Sequence, residues 1–172
     1  NTVTLRWTVS NGPVCAVQVD DVVLRNDVQP VADAGAGGDI CGKDAGNPFT
    51  FTGVVSVGTG AWTNETPGVG TASFTDASVA TTDVTVDTYG TYTFRWTETN
   101  GTCNDFDEIT VTFWEAPVLT SAGTDIFQCN TSTFTMAADA PTVGSGAWSV
   151  FGADPGVTIT NPTSRTTTGG GP

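Results

Sequence analysis

The sequence contains no histidine, and its 172 residues include only five basic side chains. Without histidine, the chain lacks the side chain that most often serves as a general base or a metal ligand. Serine and threonine are abundant, but no base accompanies them in a catalytic motif, and Lys43 is the only lysine. The sequence therefore predicts a protein that is not an enzyme.

The sequence also has no long apolar run and no basic leader followed by an apolar stretch. A membrane-spanning helix needs about 20 consecutive apolar residues, so we predict no membrane insertion. The first residue is Asn1 rather than methionine, and we expect the chain to be part of a longer one.

Positive charge is scarce: the chain has 18 acidic residues and five basic ones, which gives a formal net charge of −13. Such a chain repels nucleic-acid phosphates and anionic lipid surfaces, so neither is an expected partner. The same charge favours solubility, repulsion between neighbouring copies and attraction of divalent cations.

Threonine, glycine, valine, serine and aspartate dominate the composition, and no window shows a sustained apolar period of 3.6 residues. β-branched residues favour strands, whereas glycine, asparagine, aspartate and proline favour turns. The fold is therefore predicted to be all-β.

The sequence repeats itself after about 88 residues. The matched pairs run in the same order through the chain: RWT at 6–8 and 95–97, NG at 11–12 and 100–101, Cys15 and Cys103, DDVVL at 20–24 and DEITV at 107–111, Pro30 and Pro117, AG at 34–35 and 122–123, Cys41 and Cys129, and VGTGAWT at 57–63 and VGSGAWS at 143–149. We interpret residues 1–28 as the end of one repeat, 29–115 as a complete repeat, and 116–172 as most of a third. The chain thus begins in the middle of a repeat.

Apolar residues alternate with polar ones in the complete repeat. Tyr92, Phe94 and Trp96 share one face of a predicted strand, and Ile109 and Val111 share one face of the next, with an Asn-Gly turn between them. Earlier strands are predicted at 30–36, 48–55, 59–64, 71–76 and 82–87. Seven short strands separated by turn signals are typical of an immunoglobulin-like β-sandwich, so we predict such domains in a linear tandem array.

Four phrases of the complete repeat resemble a known family: AGAGGDIC (34–41), GTGAW (58–62), YGTYTFRWTETNGTC (89–103) and DEITVTF (107–113). They are similar to the PKD-like and immunoglobulin-like repeats of giant Bacteroidota cell-surface adhesins, of the gliding-motility type exported by type IX secretion. The general PKD family has a WDFGDG-type segment after the third-strand tryptophan, where this chain has AWTNETPG. The resemblance implies an extracellular location on the bacterial surface.

The four cysteines form two equally spaced pairs without a CxxC motif, and an acidic secreted chain favours disulfides over zinc. Three arrangements are open: sequence-local bridges (Cys15–Cys41 and Cys103–Cys129), a clamp within the complete repeat (Cys41–Cys103), or bridges to domains outside this sequence. We favour the clamp, because a self-sufficient repeat is the simplest unit to multiply. Free buried thiols are a further alternative.

Acidic residues cluster beside the Asn-Gly turn of the complete repeat. Asp105, Asp107 and Glu108 are candidate calcium ligands, and calcium would then be the only cofactor. The alternative is a solvated acidic turn that prevents edge-to-edge pairing, because no twelve-residue calcium loop is present.

Three further side chains have predicted roles. Arg95 is expected to pair across the strands with Asp107 or Glu108. Trp62 and Trp148 are expected in the cores of their repeats. Trp114 faces outward beside a linker and is a candidate surface contact, either with the next domain or with a sugar.

The leading functional hypothesis is a non-enzymatic segment of a long secreted adhesin or filament, in which stacked domains form a stalk and an adhesive surface for gliding or attachment. Its expected partners are neighbouring repeats, surface polysaccharide and other proteins of the cell surface or secretion machinery. The alternative is a carbohydrate-binding repeat of a secreted multidomain enzyme. A subunit of a surface layer or a virion fibre is a third hypothesis.

Overall fold

The computed structural model describes residues 1–152 and 156–171, and its regular secondary structure there consists of strands alone. The all-β prediction is therefore confirmed for the described residues. The chain divides into two compact units, Asn1–Trp114 and Glu115–Pro172. In chain order the strands are β1 (Thr2–Val9), β2 (Gln18–Arg25), β3 (Gly38–Cys41), β4 (Phe49–Thr50), β5 (Thr59–Asn64), β6 (Ala72–Phe74), β7 (Asp83–Val86), β8 (Gly90–Asn100), β9 (Cys103–Trp114), β10 (Thr133–Ala137), β11 (Thr158–Ile159) and β12 (Thr166–Gly170).

Strands β3 to β9 form a two-layer β-sandwich. One sheet has the order β3-β9-β8-β5 and the other has the order β4-β7-β6. All pairs are antiparallel except β3 and β9, which run parallel. The first and last strands of the sandwich are therefore neighbours in one sheet.

The alternation predicted for β8 and β9 builds the core. Tyr92, Phe94 and Trp96 on β8 are fully buried, as is Val111 on β9. They pack on a cluster from the opposite sheet and the loops, and the aromatic rings meet at centroid distances typical of packed pairs. The buried apolar residues are Ala34, Phe51, Trp62, Ala80, Val84, Val86, Tyr92, Phe94, Trp96, Ile109, Val111 and Phe113.

Trp62 lies in this core, as predicted. Its ring stacks on Phe51 with centroids 3.9 Å apart. Its indole Nε1 donates a hydrogen bond to the Ala80 carbonyl oxygen at 3.1 Å, which satisfies its one buried polar group.

The strand predicted at 30–36 is not regular, and the edge strand β3 lies at Gly38–Cys41 instead. The N–H groups of Ala32 and Ala34 bond to the carboxylates of Asp105 and Asp107, each at 3.0 Å, rather than to a neighbouring backbone. The predicted strand at 59–64 matches β5, whereas the one at 48–55 is regular only at Phe49–Thr50.

The β1–β2 hairpin has the register of the β8–β9 hairpin. Arg6 lies opposite Asp21 as Arg95 lies opposite Glu108, and Trp7 lies opposite Asp20 as Trp96 lies opposite Asp107. Its apolar face is nevertheless open: Trp7 is 73% exposed, whereas its counterpart Trp96 is 0% exposed. The difference arises because no described strand faces β1 and β2 from the other side.

The second unit repeats the β4-β7-β6 sheet as β10-β12-β11. The Trp148 N–H donates to the Pro162 carbonyl at 2.7 Å, as the Trp62 N–H donates to the Ala77 carbonyl at 2.8 Å. Trp148, expected in a core, is only partly buried. Among the described residues of this unit, no strand pair corresponds to β8 and β9, which cover Trp62 in the complete repeat.

Candidate functional site

The turn between β8 and β9 packs against the segment that joins β2 to the sandwich. We call this contact, formed by residues 25–29 and 100–104, the repeat junction. Asn100 Nδ2 donates to the Val28 carbonyl at 2.9 Å, and Gln29 Nε2 donates to the Asn104 carbonyl at 2.7 Å. These two hydrogen bonds, donated by side-chain amides, connect one end of the sandwich to the linker.

Arg25 and Asp27 form the other half of the repeat junction. Arg25 Nε lies 2.7 Å from Asp27 Oδ1, and the Asp27 side chain is only 10% exposed. Gly101, at φ 63°, lies directly against this pair: a Cβ built on it would overlap the Asp27 carboxylate and lie 2.8 Å from the Arg25 guanidinium. Glycine suits this backbone angle, and any side chain here would require the Asp27 carboxylate and the Arg25 guanidinium to move.

All four cysteines are free in the structure: Cys15, Cys41 and Cys129 are exposed, and Cys103 is partly buried. The predicted clamp between Cys41 and Cys103 is wrong. Cys41 is the register partner of Trp114 at one end of β9, and Cys103 begins β9 at the other end. That length of strand spans about 36 Å, whereas a disulfide needs Cα atoms within about 7 Å.

The predicted calcium ligands lie on two faces of β9. Asp105 and Asp107 share the face that accepts the N–H groups of Ala32 and Ala34. Glu108 lies on the opposite face, where its Oε1 is 2.6 Å from Arg95 Nη2. The structure therefore does not bring the three carboxylates together, and the described ranges 1–152 and 156–171 hold no cluster of three metal-ligand side chains.

Arg95 pairs with Glu108, as predicted, and it also lies 3.6 Å from Glu65. Its guanidinium carbon lies 4.3 Å from the centroid of the Phe106 ring. The side chains of all three ionic partners are about one-third exposed, so the ion pairs contribute less than about 1 kcal/mol each. Arg6 and Asp21 form the corresponding exposed pair on the β1–β2 hairpin.

Trp114 is an exposed aromatic side chain at the end of β9, as predicted, with 59% of its surface accessible. Its indole Nε1 donates to Asp39 Oδ1 at 2.8 Å, which fixes the ring beside the edge strand β3. A held, solvent-facing ring of this kind is suited to contact with another surface.

Glu98 is a buried carboxylate that the sequence analysis did not single out. It is 0% exposed and accepts hydrogen bonds from Ser56 Oγ at 2.5 Å, Trp96 Nε1 at 3.0 Å and the backbone N–H of Ser56 at 3.1 Å. Burial raises the pKa of Glu98, but the hydrogen bonds from Ser56, Trp96 and Val57 outweigh it and leave the pKa below its ordinary value. The alternation Tyr92, Phe94, Trp96, Glu98 was the signal that placed this carboxylate on the buried face.

The second unit contains an open apolar cavity of about 690 Å³. The cavity lies over the residues equivalent to the aromatic core of the complete repeat, where Phe51 lies 5.1 Å from Phe94 and Trp62 lies 5.3 Å from Trp96. It therefore occupies the place of a β8–β9 strand pair. Its apolar lining includes Ile126, Phe134, Met136, Trp148, Val157 and Ile159.

No family model and no curated protein matches the chain. Among solved structures, it is similar to surface layer protein SbsC, domains 1–6, at 11% identity and a TM-score of 0.32. The match covers 98% of this chain and 24% of that one. At this level the similarity carries no argument about function. In the described part of the chain, no helix has the length and apolarity needed to span a membrane.

Proposed function

We propose that this chain is a non-enzymatic segment of a long protein of the bacterial cell surface, built from tandem immunoglobulin-like sandwiches that act as a stalk and present an adhesive surface. The strand order supports the domain type. Numbering β3 to β9 as the seven strands A to G, one sheet contains B, E and D and the other contains A, G, F and C. The groupings B-E-D and G-F-C are those of immunoglobulin domains, whereas strand A here pairs with G rather than B. A role in gliding or attachment, with export by type IX secretion, follows from the family resemblance alone.

The observation that carries the proposal is the recurrence of the same contacts in successive repeats. The Asp76 N–H donates to Thr82 Oγ1 at 3.1 Å, and the Asn161 N–H donates to Thr167 Oγ1 at 3.0 Å. Both threonines are buried. A chain that multiplies one self-contained unit in this way extends in one dimension, because each unit contacts mainly its neighbours.

The parallel pairing of β3 and β9 supports a mechanical role. A force that pulls the two ends of the sandwich apart slides these strands along each other, so the hydrogen bonds between them are loaded together rather than one after another. The tie between Gly42 N–H and the Trp114 carbonyl, at 2.9 Å, lies at the end of this pair.

The test is the shape of longer arrays. We would measure small-angle scattering from this chain and from versions in which residues 29–115 are repeated once and twice. β9 has 12 residues and is about 40 Å long at about 3.3 Å per residue, so each repeat should lengthen the particle by a constant increment near that value. A particle that stays compact as repeats are added would overturn the proposal.

The held ring of Trp114 favours a second candidate, a carbohydrate-binding module. A glycan array probed with the folded chain, and with Trp114→Ala as the matched control, separates the two. Binding that depends on Trp114 would favour the module, and the absence of binding would leave the stalk.

A further inference from the structure

We propose that Cys103 forms a disulfide with the first-strand cysteine of the repeat before it, and that Cys41 correspondingly bridges to the turn cysteine of the repeat after it. Successive sandwiches are then joined covalently at every repeat junction. The inference rests on the proposed tandem array and assigns a role to cysteines that are all free within this chain.

Cys103 lies beside the linker that precedes the sandwich. Its sulfur is 3.9 Å from the carbonyl oxygen of Asp27, in the linker that follows β2. The turn that carries it is fastened to the same linker by Asn100 and Gln29. Cys103 therefore faces the end of the preceding repeat rather than its own sandwich.

Asp27 has a counterpart at the end of β9 in the complete repeat. Trp7 pairs with Asp20 as Trp96 pairs with Asp107, and the same register makes Asp27 the counterpart of Trp114. In the complete repeat, the Trp114 carbonyl accepts a hydrogen bond from the N–H of Gly42 at 2.9 Å, and Trp114 is the register partner of Cys41. Cys103 therefore contacts the carbonyl of Asp27, and the counterpart of that residue in the complete repeat, Trp114, lies beside the first-strand cysteine Cys41.

The two cysteines of the proposed bridge would both lie close to Asp27. The first-strand cysteine of the preceding repeat would lie one strand spacing, about 4.8 Å, from Asp27. The Cys103 sulfur is 3.9 Å from the carbonyl oxygen of that same residue, so both cysteines would neighbour Asp27. The proposed bridge requires their Cα atoms to come within about 7 Å. Cys41 is exposed, and by the same correspondence it would be the partner of the turn cysteine of the repeat that follows.

The scheme also accounts for the thiols of this chain. Cys15 and Cys103 are turn cysteines, and the repeat of about 88 residues places their proposed partners before Asn1. Cys41 and Cys129 are first-strand cysteines, and the same repeat places their proposed partners after residue 172. No two of the four are partners, so the chain by itself should keep all of them reduced. A bridge forms when two thiols each give up a proton and together give two electrons to a small disulfide such as oxidised glutathione, which becomes two thiols.

The test uses the chain with its complete repeat duplicated, residues 1–115 followed by residues 29–172. After equilibration with oxidised glutathione, we expect loss of two thiols and a single bridge, found by non-reducing peptide mapping, between Cys41 of the first copy and Cys103 of the second. Cys41→Ser in the first copy should abolish the bridge. The matched control, Cys41→Ser in the second copy, should leave it intact.

The proposal is overturned if the mapped bridge joins Cys41 and Cys103 of one copy, Cys15 and Cys41, or Cys103 and Cys129. It is also overturned if all thiols stay free in a duplicated chain whose circular dichroism matches that of the natural chain. A bridge found in the natural chain under the same conditions counts against it and requires no new variant. Small-angle scattering on the duplicated chain distinguishes failure of the proposed disulfide from failure of the proposed tandem array. An extended array without the bridge refutes only the disulfide.

Discussion

Gly101 lies against the carboxylate of Asp27 with no room between them for a side chain. The contact joins the β8–β9 turn to the linker of the preceding repeat. Gly12, its counterpart in the β1–β2 turn, has a similar φ of 72°, but nothing lies within 4 Å of the position a Cβ would take. The two glycines have similar positive φ angles, but Gly101 lies in the short turn between Asn100 and Cys103, whereas Gly12 lies in the longer loop between Val9 and Gln18.

We therefore predict that Gly101→Ala destabilises the sandwich more than Gly12→Ala does. A non-glycine residue at positive φ costs about 1–2 kcal/mol in either turn, and at Gly101 the methyl group must also displace Asp27 from Arg25. The free energy of unfolding in urea should fall by at least about 2 kcal/mol for Gly101→Ala. The excess over Gly12→Ala should disappear in an Asp27→Ala background, and equal losses in both backgrounds would contradict the contact.

Glu98 should make the stability of the complete repeat sensitive to acid. Because its pKa is lowered in the folded protein, its contribution is fully present above the ordinary glutamate pKa near 4.3 and is lost as pH falls through the folded value. We expect Glu98→Gln to flatten the fall in unfolding free energy over that acidic range. A pH dependence identical to that of the unmodified chain would contradict this role.

Glu98→Val should be more damaging than Glu98→Gln at neutral pH, although valine is the residue at the equivalent position of the first repeat, Val9. Valine leaves the buried donors of Trp96 and Ser56 without an acceptor, and each unsatisfied group costs about 1–3 kcal/mol. Urea unfolding of the two variants side by side measures the difference.

The sequence predicted the strands whose residues alternate, and missed what side chains do to the backbone. β8 follows from the spacing of Tyr92, Phe94 and Trp96, and β9 follows from the spacing of Ile109 and Val111. A strand that buries one face must have apolar residues at alternate positions. The segment at 30–36 is also predicted as a strand. It is irregular because Asp105 and Asp107, distant in sequence, provide the acceptors that another strand would otherwise supply.

The candidate sites divide in the same way. The pairing of Arg95 with Glu108 follows from cross-strand register, which the repeat made readable. The Cys41–Cys103 clamp rests on the simplicity of a self-sufficient repeat and not on strand positions. The register of β3 places Cys41 beside Trp114, at the end of β9 opposite Cys103, so the geometry of the sandwich decides against the clamp.

The cavity of the second unit should close when a β8–β9 strand pair is supplied. We predict that appending residues 87–115 after residue 172 reduces the fluorescence of a dye that binds exposed apolar surface and raises the unfolding temperature of this unit. The reason is that Trp148 and Met136 gain the aromatic partners that their counterparts Trp62 and Phe51 have in the complete repeat.

The matched control appends the same segment with Tyr92, Phe94 and Trp96 of the added copy changed to threonine. Strand propensity is kept in this control, and the apolar face is removed. If both appended chains behave alike, the cavity is not the place of a missing strand pair.

The parallel pair of β3 and β9 should set the force that the complete repeat withstands. β3 is an edge strand, and in a parallel pair alternate residues point their N–H groups at the neighbour. Since the Gly42 N–H bonds to the Trp114 carbonyl, the Ile40 N–H faces β9 and the Asp39 N–H faces away. Ile40→Pro therefore removes a bond that resists sliding, whereas Asp39→Pro does not.

In single-molecule pulling of the chain from its two ends, Ile40→Pro should lower the unfolding force of the complete repeat well below that of Asp39→Pro. Each variant also loses a side-chain contact: Ile40→Pro removes an apolar side chain that packs against the core, and Asp39→Pro removes the acceptor of the Trp114 hydrogen bond. Equal forces for the two variants would mean that the load does not pass through the β3–β9 pair. In that case resistance would have to come from the core or from the repeat junction, where Gly101→Ala supplies the next test.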